Sequence, residues 1–244
     1  MFPFSTVNST AIPWDFVLIL VVLGTLIPWR GTVRLRRFLR QPELTTADRL
    51  SLYASTIAFQ WIIAGIVFWR AISRGLSLGK LGVTLPSPWQ TTGLAVILTA
   101  LLCALQFAGL RRTMRMPAGE RGRLFQITEK IMPRSFPEVV AFAALACTAG
   151  ISEELIYRGF VYAVFSRAFA EYLFPAFAAV ILSAAWFAVA HLYQGPKGIL
   201  TTFVVGIIFA FSRVYSGSLL PSVVAHAGVD LLAGLYMARF GEKI

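Results

Sequence analysis

The chain has 244 residues, of which 57% are hydrophobic and only 14% are charged. Soluble domains carry ~25% charged residues, so this composition excludes an ordinary soluble domain and, more firmly, a disordered chain. The net charge of +11 would indicate nucleic-acid binding in a soluble protein. In so apolar a chain it indicates a membrane protein with basic loops, and we expect no nucleic-acid partner.

Seven apolar runs have the length of membrane-spanning helices, which need ~20 residues each. We therefore expect an all-α fold, a polytopic transmembrane helical bundle with seven spans. The count rises to eight if the longest run, 137–169, breaks into two helices near Gly150. The runs are 12–29, 51–72, 91–110, 137–169, 172–193, 198–215 and 218–238.

Basic residues are concentrated in two loops, 30–49 and 111–134. Both loops follow an odd number of crossings, and the positive-inside rule places them in the cytoplasm, with the N-terminus outside. Their charge also suits contacts with anionic lipid headgroups. The compact length and the lack of organelle-targeting signals favour a prokaryotic inner membrane.

Ionisable side chains inside a bilayer cost at least ~2.5 kcal/mol each at mid-helix, so they are candidates for function. Both histidines of the chain, His191 and His226, lie in apolar runs. Of its acids, only Glu153, Glu154 and Asp230 lie well inside such runs. All five follow residue 152, on three predicted helices, and burying them together costs less than exposing any one to lipid.

Helical spacing separates the two neighbouring glutamates. Glu154 and Arg158 are four residues apart, which puts them on one helix face, whereas Glu153 lies ~140° away from Arg158. We predict an ion pair between Glu154 and Arg158 that braces the helix. Glu153 is then left without a charged partner on its own helix, as suits a general base.

The same spacing of four residues relates His226 to Asp230 and Phe187 to His191. Taken singly, each of these pairs has a structural explanation. His226 and Asp230 could tie two helices together, and Phe187 is by default a packing residue beside His191. Three predicted helices in this part of the chain each carry polar residues on one face, and this favours a shared site.

Three motifs carry a resemblance to a known family. Residues 153–159 read EExxxRG, residues 187–191 read FxxxH, and residues 226–230 read HxxxD. In this order the motifs resemble the CPBP family, the CAAX-prenyl-protease and bacteriocin-processing (Abi-type) intramembrane endopeptidases. The resemblance covers about residues 137–238.

The resemblance divides the chain into two parts. Residues 137–244 form a catalytic, CPBP-like helical core. Residues 1–136 hold the N-terminal transmembrane helices and basic cytoplasmic loops, and they carry no motif of the family.

The resemblance implies an enzyme that hydrolyses a peptide bond of a membrane-associated protein or peptide, lipidated ones included, in a cavity open to the cytosol. It implies that Glu153 activates water, that His191 assists, and that His226 and Asp230 line the oxyanion site. Asp230 departs from the Asn of the best-known members, and an ionised Asp accepts hydrogen bonds but does not donate them. The supporting residues are Glu154, Arg158 and Phe187.

Two alternatives remain open on the sequence. Glu153, His191, His226 and Asp230 form a plausible two-nitrogen, two-oxygen ligand set for zinc, which would make the protein an intramembrane metalloprotease. The chain has no HExxH motif, so the leading interpretation needs no cofactor. The other alternative is a non-enzymatic membrane scaffold, immunity protein or transporter that uses the polar cluster for binding.

Overall fold

The structure is a computed structural model that describes residues 11–41, 43–117 and 120–240. Within these ranges the chain has helices and turns but no strand, so the predicted all-α class is confirmed. The predicted outward position of the N-terminus concerns residues 1–10, which lie outside the described part. The α-helices are α1 (Trp14–Gly24), α2 (Leu26–Arg40), α3 (Thr46–Ser73), α4 (Pro88–Met114), α5 (Arg123–Ile131), α6 (Phe136–Glu154), α7 (Tyr162–Ala168), α8 (Pro175–Ala190), α9 (Gly195–Ser216) and α10 (Leu220–Phe240).

Local sequence signals set many helix ends. Helices α4, α6, α8 and α9 have proline at one of their first two positions, where its missing N–H costs nothing. At the start of α3, Thr45 and Asp48 form a reciprocal capping box. Gly217 ends α9 in the left-handed region at φ 67°, which glycine adopts without steric cost.

The longest apolar run forms one continuous helix and does not break near Gly150. A π-helical segment, Leu155–Val161, joins α6 to α7, so that Phe136–Ala168 extends over 33 residues. A π-segment inserts extra backbone into a helical turn, and such segments often occur at functional sites. The break that would have given eight spans is absent from this described helix.

Among the residues that the structure describes, six helices are long and apolar enough to cross a membrane, so the predicted seven or eight spans are not confirmed. The helix of the run 172–193 is only α8, whose 16 residues reach ~24 Å, less than a ~30 Å hydrocarbon core. The six candidates are Trp14–Arg40, Thr46–Ser73, Pro88–Met114, Phe136–Ala168, Leu192–Ser216 and Leu220–Phe240.

The bundle is held together chiefly by packing of α3 on α6, of α4 and α6 on α10, and of α8 on α9. Phe160 and Val161 of the π-segment are fully buried, in one cluster with Phe16 of α1 and Val67 of α3. Large apolar side chains such as Ile97 remain exposed on the outside of the bundle, as expected for surfaces that face lipid.

Ion pairs join helices at both ends of the bundle. At one end, Arg49 in the first turns of α3 donates to Glu138 in the first turn of α6, at 2.8 and 3.2 Å. At the other, Arg70 and Arg74 near the end of α3 donate to Asp15 at the start of α1. The packing of α3 against α6 therefore has an anchor of its own, several turns away from the acidic residues of the motifs.

Candidate active site

The residues predicted from the three motifs converge on Glu153. Its Oε2 lies 3.9 Å from Nε2 of His191 and 3.9 Å from Nε2 of His226. Nε2 of His226 lies in turn 3.8 Å from Oδ2 of Asp230. Glu153 stands at the end of α6, His191 caps the end of α8, and the other two residues belong to α10. Three separate helices thus bring one carboxylate and two imidazoles together.

The hydrogen bonds of the two histidines indicate what each ring offers to the site. Nδ1 of His191 lies 2.8 Å from the carbonyl oxygen of Phe187. Because a carbonyl only accepts, this nitrogen carries a proton, and in the tautomer with one proton Nε2 is the acceptor that faces Glu153. Nδ1 of His226 lies 2.9 Å from Oε1 of Glu154, which also accepts. Both rings therefore present Nε2 to the reactive centre.

The separation of 3.9 Å between Glu153 Oε2 and each imidazole nitrogen exceeds a direct hydrogen bond. One water oxygen placed ~2.8 Å from two such atoms would bridge them with ordinary hydrogen bonds. Oε2 is buried, and no residue of the described ranges donates a hydrogen bond to it. The geometry thus suits a carboxylate that holds and deprotonates a water molecule.

A buried ion pair supports the helix that carries Glu153. Nη1 of Arg158 donates to Oε1 of Glu154 at 2.8 Å, and both side chains have no exposed surface. The predicted pairing is therefore present. Cζ of Arg158 also lies 4.0 Å from the ring centroid of Phe187 and 5.2 Å from that of Phe209, so aromatic faces cover the guanidinium. Such desolvated cation–π contacts contribute roughly 2 kcal/mol.

Phe187 packs against several groups of the site at once. Its ring centroid lies 4.6 Å from that of His191 and 5.9 Å from that of His226, besides its contact with Arg158. Phe187 lies beside His191 as predicted, and its carbonyl oxygen also orients the His191 ring. Phe187 therefore braces the histidines and the ion pair together.

Helices α6 and α10 approach each other closely, and this approach sets the relative positions of the motifs that they carry. A Cβ at Gly150 would lie 2.9 Å from the carbonyl oxygen of Val223 and 3.1 Å from the backbone nitrogen of Ala227. Only glycine leaves room for α10 at this distance. The contact lies one turn before Glu153 and Glu154 and beside His226, so it sets the spacing of their helices.

Several site residues were missed by reasoning from the sequence. Gln60 of α3 donates to Oε1 of Glu153 at 2.7 Å, although it lies far from every motif. The contact between Glu154 and His226 was also not foreseen, nor was Phe209, whose ring stacks on His226 at 5.6 Å. Of these residues only Gln60 carried a sequence signal, an amide within an apolar helix, and Gln106 of α4 carries the same signal without lying in the site.

The separations among the proposed zinc ligands are longer than those of a tetrahedral zinc site. Tetrahedral zinc with ligands at ~2.0–2.1 Å places neighbouring ligand atoms ~3.3 Å apart, whereas the site has separations of 3.8 and 3.9 Å. In the part of the chain that the structure describes, no group of three or more His, Cys, Asp or Glu could hold a metal ion.

The long apolar helices and the buried polar cluster are those of an integral membrane protein. Comparison with known families is consistent with this class: residues 135–232 match the family model described as type II CAAX prenyl endopeptidase Rce1-like. The match covers about two fifths of the chain and includes all three motifs, which confirms the resemblance recognised from them. This is a peptidase family whose substrates are membrane-associated peptides or proteins. No curated protein and no solved structure matches the chain.

Proposed function

We propose that the protein is an intramembrane glutamic endopeptidase that needs no metal ion. The observation that carries this proposal is the position of Glu153 Oε2, buried and 3.9 Å from Nε2 of both histidines. A general base must lie within reach of the proton that it abstracts, directly or through one water. A single water between Glu153 and His191 satisfies this condition.

In the proposed reaction the water donates one hydrogen to Glu153 Oε2 and the other to Nε2 of His191. As the water oxygen attacks the scissile carbonyl, Glu153 takes the proton and later delivers it to the departing amide nitrogen. Hydrolysis thus ends with a free carboxyl group and a free amine. His191 keeps its acceptor aimed at the water because Phe187 O holds its other nitrogen.

The tetrahedral intermediate carries a negative oxygen that needs a donor. His226 in its imidazolium form supplies one, because Nδ1–H is bound to Glu154 and Nε2–H is free to donate to the oxyanion. Asp230 lies near the same nitrogen and helps to hold the cation in place. Glu154 thus has two roles, as the partner of Arg158 and as the acceptor that orients His226.

The family match and the basic loops support further parts of the proposal. The substrate is the C-terminal part of a membrane-associated protein, lipidated or not, and the site opens toward the cytoplasm of a prokaryotic cell membrane. The exposed arginines at the ends of α2 and α4 suit contacts with anionic lipid there. They are Arg36, Arg37, Arg40, Arg111, Arg112 and Arg115.

Substitution of the central residues tests the proposal. We expect Glu153→Gln, His191→Ala and His226→Ala to lower cleavage of a quenched farnesylated CAAX peptide by the vesicle-reconstituted protein roughly 10³-fold. Glu171→Gln, at an exposed acid between α7 and α8, is the matched control and should keep full activity. Full function of all three variants would indicate a scaffold, immunity protein or transporter instead. Peptides that accumulate uncleaved in a Glu153→Gln strain would identify the substrate.

A further inference from the structure

A residue outside the family-matched segment completes the site. Gln60 of α3 donates its Nε2 hydrogen to Oε1 of Glu153 at 2.7 Å. We propose that Gln60 is a positioning residue that orients the Glu153 carboxylate toward the two histidines. This inference rests on the proposed function, in which Glu153 is the general base, and it assigns part of the active site to the N-terminal helices.

The amide of Gln60 is isolated in an apolar stretch of α3. From Ile57 to Trp69, it is the only side chain with an amide, a hydroxyl or a charge. Burying an amide costs free energy unless it is hydrogen-bonded. Its Oε1 is buried and has no hydrogen-bond partner within the described ranges, so the bond to Glu153 is the contact that explains a glutamine at this position.

The hydrogen bond from Gln60 distinguishes the two carboxylate oxygens of Glu153, because only Oε1 accepts it. The terminal torsion of a glutamate is broad and roughly two-fold, so packing alone holds a carboxylate plane poorly. With Oε1 held by the amide, Oε2 is directed to the point 3.9 Å from Nε2 of both His191 and His226. Loss of the amide would let the carboxylate rotate away from the water that it has to deprotonate.

A purely structural role, as a tie between α3 and α6, is weakly supported. These helices are already joined by the two hydrogen bonds from Arg49 to Glu138 and by the edge-to-face contact of Tyr53 with Phe142. Removing the Gln60 amide leaves both contacts intact. The protein should therefore fold without it, and a defect in catalysis can be measured on a folded variant.

The pH–rate profile of the enzyme is the most direct readout, because a hydrogen bond to a carboxylate stabilises its charged form. Other groups around Glu153 act on it as well, and they stay unchanged when only Gln60 is replaced. They are Glu154, Tyr157 and Arg158 on its own helix, His191 and Tyr193 after α8, and His226 and Asp230 on α10.

Two variants and a control form the experiment. Gln60→Met keeps the length of the side chain without its donor, and Gln60→Glu replaces the donor with a second carboxylate. Gln106→Met makes the same change at a partly buried glutamine of α4. Each protein is reconstituted in vesicles, and kcat, KM and the pH–rate profile are measured with the farnesylated CAAX peptide.

We expect Gln60→Met to lower kcat about 10- to 100-fold through misplacement of the base, with KM within about twofold and a pH–rate profile that differs from that of the wild type. Gln60→Glu should also lower kcat, since an ionised carboxylate has no hydrogen to donate to Oε1 of Glu153. Gln106→Met should match the wild type. A Gln60→Met protein with the wild-type profile, or with only a lower melting temperature, would overturn the inference.

A second measurement does not depend on peptidase activity. Dicyclohexylcarbodiimide labels protonated carboxyl groups in apolar surroundings, and mass spectrometry quantifies the label on Glu153, with Glu153→Gln as the blank. We expect Gln60→Met to change the dependence of Glu153 labelling on pH, because the carboxylate loses a donor; an unchanged dependence would reject the role of Gln60. If wild-type protein cleaves no peptide while this change occurs, the proposed function fails and the positioning of Glu153 by Gln60 stands.

Discussion

Glu154 and His226 are 72 residues apart in the chain, yet Oε1 of the glutamate lies 2.9 Å from Nδ1 of the histidine. The same oxygen accepts from Arg158 at 2.8 Å. One carboxylate thus neutralises a fully buried guanidinium and orients the imidazole that we assign to the oxyanion. Loss of Oε1 of Glu154 should therefore affect both the stability of the protein and its proposed catalysis.

Replacing Glu154 by alanine should lower both protein level and activity. The substitution leaves Arg158 buried without a countercharge, which costs about 3–5 kcal/mol. A thermal melt in detergent and the amount of protein in the membrane measure this loss. A normal level of the Glu154→Ala protein would contradict an essential ion pair.

A double substitution separates the two roles of Glu154. Buried ion pairs are often replaced by apolar residues at little cost in stability, so Glu154→Leu with Arg158→Met should recover most of the protein level. We expect its activity to stay low, because His226 has lost the acceptor for Nδ1. A fully active double variant would show that this hydrogen bond is not needed.

Gly150→Ala should impair activity through a movement of α10. The new methyl group would meet the backbone of Val223 and Ala227 at 2.9–3.1 Å, and backbone atoms have no free rotation by which to avoid it. A displacement near 1 Å at the catalytic groups costs about 100-fold in rate, and overpacking costs about 1–3 kcal/mol of stability.

Gly65→Ala in α3 is the control for Gly150→Ala, since a Cβ there would have no atom within 4 Å. The gain in helix propensity should leave the control at least as stable as the wild type. Rates are compared with the same CAAX peptide. Equal activities of the two variants would disprove the close-packing role of Gly150.

Much of the fold could be predicted because a chain of this kind crosses a bilayer as long apolar helices. The run 172–193 is not confirmed as a span, because hydropathy does not distinguish a helix from the apolar turns at its ends. Leu173 and Phe174 are apolar but lie before α8, which starts at Pro175, and His191 already caps its end. The alternative of a break near Gly150 was wrong for a similar reason, because there glycine serves close packing in a continuous helix.

The three motifs predicted that Glu153, His191 and His226 share a site, and local spacing predicted pairs within one helix. The pairing of Glu154 with Arg158 follows from their separation of four residues, and it is present in the structure. The contacts of Glu153 with Gln60 and of Glu154 with His226 join distant helices and depend on how those helices pack. No periodicity along the chain encodes such contacts.

Removal of metal ions should leave the activity intact. The separations of 3.8–3.9 Å among the carboxylates and imidazoles exceed those of a tetrahedral zinc site. We expect chelator-washed protein to keep its rate of peptide cleavage and to contain far less than one zinc per chain by elemental analysis. Activity that is lost on chelation and restored by stoichiometric zinc would establish the metalloprotease alternative.

Asp230→Asn should be tolerated. Oδ2 of Asp230 lies 3.8 Å from Nε2 of His226, beyond hydrogen-bond distance, so the substitution breaks no bond between them. Asparagine has nearly the same shape, and its amide adds a donor for the developing oxyanion. We expect peptide cleavage within about threefold of the wild type, whereas Asp230→Ala should lose about 10- to 100-fold, because it offers neither charge nor donor. If Asp230→Asn is inactive at a normal protein level, the site requires a carboxylate there, as metal ligation would.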